Sequence, residues 1–420
     1  MSSRSSSGTT TVALFLLSVF VVLCVAMAGL NAQTGVSWPQ WRGPNRDGVA
    51  AAGVALKTWP DVLTRRWSVP VGAGYSTPIV AGGKVFVHAR TGERETVTAY
   101  ESATGKRLWE DSYDAPYKMN PAAAGHGPGP KSSPAYAAGR LYTLGISGIV
   151  TCLDGTSGKL IWRKQPSPEQ PIFGTATSPV VVNSAVVAFV GGPERGALVA
   201  LDAVTGAMRW QWTDGAPAYA SPVVATLGSI PQIVTQSRTH VVGVDLARGT
   251  LLWQIPLTTS YDQNSVTPVV VGDMVVYAGL ANPTTAVRIV KQAGGLATEE
   301  VWKNPDVSMY MSTAVVAGDV LVGLSHRNRG QFFGIDVRTG KTLWTTRGRE
   351  TDNAAFIRVP GHTLIQTTEG ELIVARDSTT GFDVVRRYDV ADGSTWAHPA
   401  LVGNQLFVRD AKSLTLWVIR

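Results

Sequence analysis

Short apolar runs alternate with small polar residues and turn signals along most of the chain, and the alternation is periodic. Each period opens on a small polar pair, often followed by proline. An apolar run, a two-residue turn and a second apolar run come next. Ser76-Thr77-Pro78 leads into IVAGGKVFV, Ser132-Ser133-Pro134 into AYAAGRLYTL and Thr177-Ser178-Pro179 into VVVNSAVVAF. Ala220-Ser221-Pro222, Val266-Thr267-Pro268, Met311-Ser312-Thr313-Ala314, Asp352-Asn353-Ala354-Ala355 and Trp396-Ala397-His398-Pro399 carry the series to eight. Between paired runs, Gly82-Gly83, Asn183-Ser184, Gly272-Asp273, Gly318-Asp319 and Gly403-Asn404 are residues suited to two-residue hairpins. The runs are short and β-branched, as half-buried or buried strands are. No long helical pattern occurs beyond the N-terminal segment.

A second unit falls in the later half of each period. Its cleanest copy is Asp336-Val337-Arg338-Thr339-Gly340-Lys341-Thr342-Leu343-Trp344, and DLARGTLLW, DAVTGAMRW, DGTSGKLIW and ESATGKRLW repeat it. In all five, an acid stands eight residues before tryptophan and glycine stands four before it. The acid side chain caps a tight turn by accepting backbone N–H groups, and the glycine supplies positive φ. A strand ending in tryptophan follows. Trp67, Trp109, Trp162, Trp210, Trp253, Trp302 and Trp344 thus count the repeats, at separations of 42 to 53 residues. They are assigned to docking between neighbouring units. Trp302 keeps its tryptophan but has lost the turn, and in a further copy at Asp377–Gly381, Val385 is placed in the tryptophan position.

A period of about 40–50 residues holding four strands is that of a propeller blade. The fold predicted is all-β, an eight-bladed β-propeller of four-stranded antiparallel blades over residues 63–420. The final period lacks its last strand, while LTRRWSVPV brings a tryptophan-bearing strand with nothing before it. This N-terminal strand is therefore expected to complete the last blade, leaving no open edge at the seam.

Residues 1–32 read as a signal peptide, with Arg4 ahead of an apolar run and possible cleavage sites at Ala26-Met27-Ala28 and Leu30-Asn31-Ala32. The alternative is an uncleaved anchor. Cys24 follows Val21-Val22-Leu23, which lacks the small residue of a lipid-attachment site. Cleavage would leave 36 basic and 30 acidic residues, a net charge of 36 − 30 = +6, spread rather than clustered. Nucleic acid is not an expected partner. Cys152 alone would remain, which excludes a disulfide framework and a cysteine metal site. Residues 33–62, with WPQWRGPNRDG at their centre, are an extension expected to pack on the propeller.

The A-x-D-x-x-T-G-K-x-x-W unit resembles the tryptophan-docking repeat of the quinoprotein, or PQQ-like, propellers. That superfamily includes the pyrroloquinoline quinone (PQQ) dehydrogenases and BamB-like exported bacterial proteins, and the resemblance covers about residues 60–420. It implies the propeller fold directly and function only loosely, because one fold hosts many functions. For a dehydrogenase it implies PQQ with calcium beside an adjacent cysteine pair, which this chain lacks. The BamB lipid-attachment motif is also missing.

No H-E-x-x-H, G-x-S-x-G or P-loop motif is present, and the histidines are not spaced as ligands. One set of positions can still form a site. The first strand of each blade lines the axis, so residues at or just before each opening converge at one mouth. These are Tyr75, Lys131, Thr175, Tyr219, Asn264, Tyr310, Asp352 and Trp396, with His398 just inside. Aromatic and polar groups in this mixture suit a ligand mouth, against the alternative of a merely wet channel.

The function expected is that of an exported, non-enzymatic scaffold, periplasmic or extracellular, that binds protein or ligand in envelope assembly. The alternative is a PQQ-dependent oxidoreductase with a degenerate site. No catalytic residue, metal or cofactor is assigned, with PQQ and calcium reserved for the alternative. Another envelope protein, or a small ligand at the axial mouth, is the expected partner. Membrane contact is expected only through an uncleaved N-terminal segment, and the protein is expected to be a monomer.

Overall fold

The computed structural model describes residues 37–51, 54, 56 and 58–420; the expected export segment, residues 1–32, lies outside the described residues. The strands form eight four-stranded antiparallel sheets. Seven are simple meanders, over residues 79–114, 135–163, 180–212, 223–256, 269–304, 315–345 and 354–389. The eighth combines Ala400–Val402, Gln405–Arg409 and Ser413–Val418 with Thr64–Pro70. Thr64–Pro70 pairs antiparallel to the last strand of the chain, with Val69 opposite Leu414. The ring therefore closes as the truncated final repeat requires. The first strands of adjacent blades approach one another around the axis. In most blades they are three residues long, like Ile79–Ala81. Among the described residues, no helix is long and apolar enough to cross a membrane.

The constant spacing of acid, glycine and tryptophan finds its cause between blades. Asp336 accepts the backbone N–H groups of Arg338 and Thr339 at 3.0 and 2.9 Å, and Gly340 takes φ +73°. The Trp302 ring of the preceding blade lies on this turn. A Cβ at Gly340 would stand about 2.5 Å from the ring, so only glycine admits it. The Trp302 indole N–H donates to the Val337 carbonyl at 2.9 Å. Trp67 does the same on Gly105 and Ser102, Trp162 on Gly206 and Ala203, and Trp210 on Gly249 and Leu246. Trp109 covers Gly158 without a partner for its indole N–H. Each turn thus receives the tryptophan of the blade before it, while its own tryptophan docks on the blade after.

Two departures have local reasons. In the fifth blade, Thr284–Gln292 and Gly295–Asn304 form a long hairpin with no aspartate-capped turn. Trp253 consequently has no turn to dock on, and its indole N–H donates within its own blade to Gln232 Oε1 at 2.5 Å. In the seventh blade, Val385 does not take the tryptophan place. Elsewhere a bulge leaves one residue unpaired just before the tryptophan, as between Gly334↔Trp344 and Ile335↔Thr342. Here the corresponding pairs are Val374↔Arg386 and Ala375↔Val384. Val385 is therefore the bulged residue, and Arg386 stands where tryptophan stands in other blades. Trp344 still donates to the Ser378 carbonyl at 3.0 Å, but its ring packs on Phe382 rather than on Gly381.

Candidate functional site: an aromatic axial cavity

A cavity of about 620 Å³ opens at the end of the axis where the first strands begin. Its floor is built from the small polar pairs. The Thr77 N–H donates to Ser133 Oγ at 2.9 Å, Ser133 N–H to Ser178 Oγ at 3.0 Å, and Ser178 N–H to Ser221 Oγ at 2.9 Å. Ser221 N–H continues to Thr267 Oγ1 at 3.0 Å, and Thr267 N–H to Thr313 Oγ1 at 3.1 Å. From the second blade to the sixth, the hydroxyl of one blade therefore satisfies the backbone of the blade before it. The recurring hydroxyl is explained by these bonds, each of which joins two neighbouring blades. Ala354 and His398 occupy the corresponding position in the last two blades, and the Ala354 N–H is satisfied instead by Ser312 Oγ at 2.9 Å.

Of the residues expected at the mouth, Tyr75, Lys131, Tyr219, Tyr310, Trp396 and His398 line the cavity; Thr175, Asn264 and Asp352 do not. At Thr175 and Asn264 the residue one step later, Ala176 or Ser265, does so. In extended chain a one-residue step turns the side chain to the other side. Asn264 is held away by its amide, which donates to the carbonyls of Ser237, Arg238 and Leu257 at 2.8, 3.0 and 2.9 Å. Thr175 is buried, its N–H bonded to the Ile146 carbonyl at 3.1 Å. Asp352 is exposed, and no residue of the seventh blade lines the cavity. The N-terminal extension runs past that blade, pairing Val49 with Arg358.

That extension supplies what the repeat pattern could not announce. Trp38 exchanges two backbone bonds with Val80, the Tyr136 N–H donates to Pro39, and the Arg358 N–H donates to Gly48. Between these anchors, Trp41 forms part of the cavity wall, with its ring centroid 5.4 Å from that of His398. Arg42 donates to the carbonyls of Thr313 and Ala314 at 2.8 and 2.7 Å. Arg46 donates to those of Pro179 and Ser178, both at 2.9 Å. These guanidinium carbons lie 5.6 and 5.7 Å from the Trp41 ring centroid. Both arginines are buried, and among the described residues neither forms an ion pair. Burial draws Arg42 down to about 10, with Asp47 pulling the other way. Burial, then the charge of Arg42, draws Arg46 down to about 9. Both therefore stay cationic at neutral pH.

Lys131 donates one hydrogen bond, to the Phe173 carbonyl at 2.5 Å, and burial pulls its ammonium down to about 8. The histidines are neutral neighbours. Burial, then Arg42, holds His398 down to about 3, and burial, then Lys131, lowers His126. His126 ends the short 3-10 helix Pro121–His126 and meets Trp396 edge-on at 4.7 Å. Tyr261, 72% exposed, stands at the rim in a left-handed conformation, φ +59°, that non-glycine residues seldom take. Trp41, His126, Phe173 and Tyr261 lie in the extension or in loops between blades, where no repeat register indicates direction. Among the described residues, no aspartate or glutamate lines the cavity, and no group of three metal-ligating side chains occurs.

The family model described as outer membrane protein assembly factor BamB matches residues 64–125 and 93–346. BamB of Yersinia pestis is 24% identical over 366 residues, covering 84% of this chain and 78% of that protein. The dehydrogenase subunit of a quinone alcohol dehydrogenase of Komagataeibacter europaeus is 31% identical over 145 residues, 32% of this chain and 19% of that one. Among solved structures, BamB from Moraxella catarrhalis superposes with a TM-score of 0.63 at 15% identity, over 86% of this chain and 98% of that chain. The quinohemoprotein alcohol dehydrogenase of Comamonas testosteroni does so with a TM-score of 0.66 at 13% identity, over 92% and 81%.

Proposed function

The chain belongs to the PQQ-like repeat family whose model is described as outer membrane protein assembly factor BamB, and from that membership we propose that it is an exported, non-catalytic propeller scaffold of the periplasm. It works as a monomer in envelope assembly and presents its axial cavity to a partner protein or small ligand. One observation carries the non-catalytic part of this reading: the cavity lining contains no carboxylate. A quinone acting with calcium needs carboxylate oxygens around the cation and a carboxylate base within reach of substrate. Asp352, the acid expected at the mouth, lies outside the lining. The calcium–quinone pair therefore does not fit these residues.

The second reading, a PQQ-dependent oxidoreductase with a degenerate site, is favoured by the partial similarity to quinone alcohol dehydrogenases. Titration of the purified protein with PQQ and calcium separates the two. The scaffold reading expects no reduction of an artificial electron acceptor by alcohols or sugars, whether or not PQQ occupies the cavity. Stoichiometric PQQ binding with substrate-dependent turnover would overturn it. In the cell, loss of the protein should lower the amount of folded outer-membrane β-barrels, and unchanged barrel levels would count against the assembly role.

A further inference from the structure

We propose that the axial cavity is a metal-independent site for a small organic anion, with a carboxylate set against the hydroxyl floor and Lys131 and a ring-shaped body held between the aromatic walls. This names the ligand class of the cavity and rests on the scaffold reading above.

The argument begins with hydrogen-bond supply. Ser133, Ser178, Ser221, Thr267 and Thr313 each accept a backbone N–H through the hydroxyl oxygen. A hydroxyl also carries one donor. None of these five O–H groups has an acceptor among the described residues, and all five side chains line the cavity. Lys131 adds to the excess: an ammonium has three donors, and its one protein partner is the Phe173 carbonyl. The floor is thus rich in donors and lacks carboxylate acceptors. A ligand rich in acceptor oxygens satisfies it; a ligand rich in donors leaves it unpaired, at a cost for each buried group.

Charge points the same way. Arg42 and Arg46 lie buried against Trp41, bonded to backbone carbonyls and to Gln40 rather than to carboxylates. Exposed Asp47 is the nearest offset to Arg42. Arg409, also buried, donates to the carbonyls of Ser76, His88 and Gly72, beside Tyr75. These cations add a positive field in a partly enclosed, low-dielectric space, where it is screened less than at a surface. Trp41, Tyr75, Phe173, Tyr219, Tyr310 and Trp396 form the walls, and such rings stack on aromatic faces or on the C–H face of a sugar. The ligand is therefore an acidic sugar or an aromatic acid, and the two share the carboxylate that the floor selects.

The test is calorimetric titration of the purified protein, in the presence of a chelator, with two matched pairs: glucuronate against glucose, and 4-hydroxybenzoate against its amide. At least one acid should bind with 1:1 stoichiometry and its neutral counterpart at least about ten-fold more weakly, the range expected for a charge-assisted hydrogen bond. Which pair responds separates the sugar acid from the aromatic acid. Lys131→Met should weaken the acid about ten-fold or more, and Ser178→Ala with Ser221→Ala should weaken it further, while Lys341→Met, on the turn that receives Trp302 and outside the cavity lining, should change nothing. Equal affinity for acid and neutral partner, binding indifferent to Lys131→Met, or no saturation by either acid would each overturn the proposal. Failure here leaves the scaffold reading intact, because that reading fails on PQQ-dependent turnover or on unchanged barrel levels.

Discussion

The turns that receive the docking tryptophans and the floor of the axis are both repeated around the ring, yet the repetition has different consequences. At the turns, acid, glycine and tryptophan recur at fixed spacing because each fits a surface on the next blade, as Trp302 fits the Gly340 turn. At the axis the small hydroxyls recur for the same reason. The side chain two residues before them does not: it is tyrosine at 75 and 219, lysine at 131, alanine at 176, serine at 265, methionine at 311, aspartate at 352 and tryptophan at 396. Positions that carry the inter-blade hydrogen bonds are held uniform, whereas these preceding positions share no repeated inter-blade bond and are free to differ. Loss of symmetry within a symmetric scaffold thus marks the site.

Cutting the ring should have the largest effect. Removing residues 60–70 takes the fourth strand from the eighth blade and Trp67 from the Gly105 turn. The cooperative thermal transition should be lost or strongly lowered, and an unchanged transition would refute the closure. Trp302→Ala comes next, at about 3–5 kcal/mol by denaturant titration, as for other large aromatic truncations in cores. Gly340→Ala attacks the same joint from the other side. The new Cβ meets the Trp302 ring and is forced to positive φ, so a loss of about 1–3 kcal/mol is expected. If that variant is as stable as the parent, the turn is not the receiving surface.

A smaller effect should come from the turn cap. Asp336→Ala removes bonds from two backbone N–H groups on an exposed turn, and a loss of about 1 kcal/mol or less is expected. The cap also has a pH signature. The hydrogen bond from the Thr339 backbone, opposed by burial and joined by bonds from the Thr339 hydroxyl and the Arg338 backbone, holds the Asp336 carboxyl below its ordinary range. A carboxyl lowered in the folded state adds stability above its unfolded pKa and loses it as pH falls through the folded one. The stability gap between parent and Asp336→Ala should therefore close on acidification below about pH 4; a constant gap would remove the cap from the account. Lys131→Met should be smallest of all. It deletes a partly buried cation that lacks a carboxylate partner, so stability should hold or rise by about 0.5 kcal/mol or less. A large loss would make the axis as structural as the turns.

The fold was legible because a propeller writes itself into sequence several times. One copy of the aspartate–glycine–tryptophan unit is ambiguous, but five at one spacing are not, and the missing last strand beside an orphan first strand predicted the closure. The limits were equally physical. Spacing from Asp377 points to Val385 because it cannot reveal that the seventh hairpin is one residue longer before its bulge, which puts Arg386 in the tryptophan place. Thr175 and Asn264 stand one residue before the lining residues Ala176 and Ser265, and in an extended chain that step reverses the direction of a side chain.

By itself, then, the sequence determined the blade count, the strand order, the seam and the inter-blade role of the tryptophans, all of which follow from local patterns repeated at a fixed interval. Only the tertiary structure decided that Trp41, Arg42 and Arg46 enter the axial end of the ring, that Trp253 turns to Gln232, and that the cavity faces six blades and the last but not the seventh. Those contacts join residues outside the repeat, or far apart within it. Their partners are set by the closure of the ring, which no local interval records.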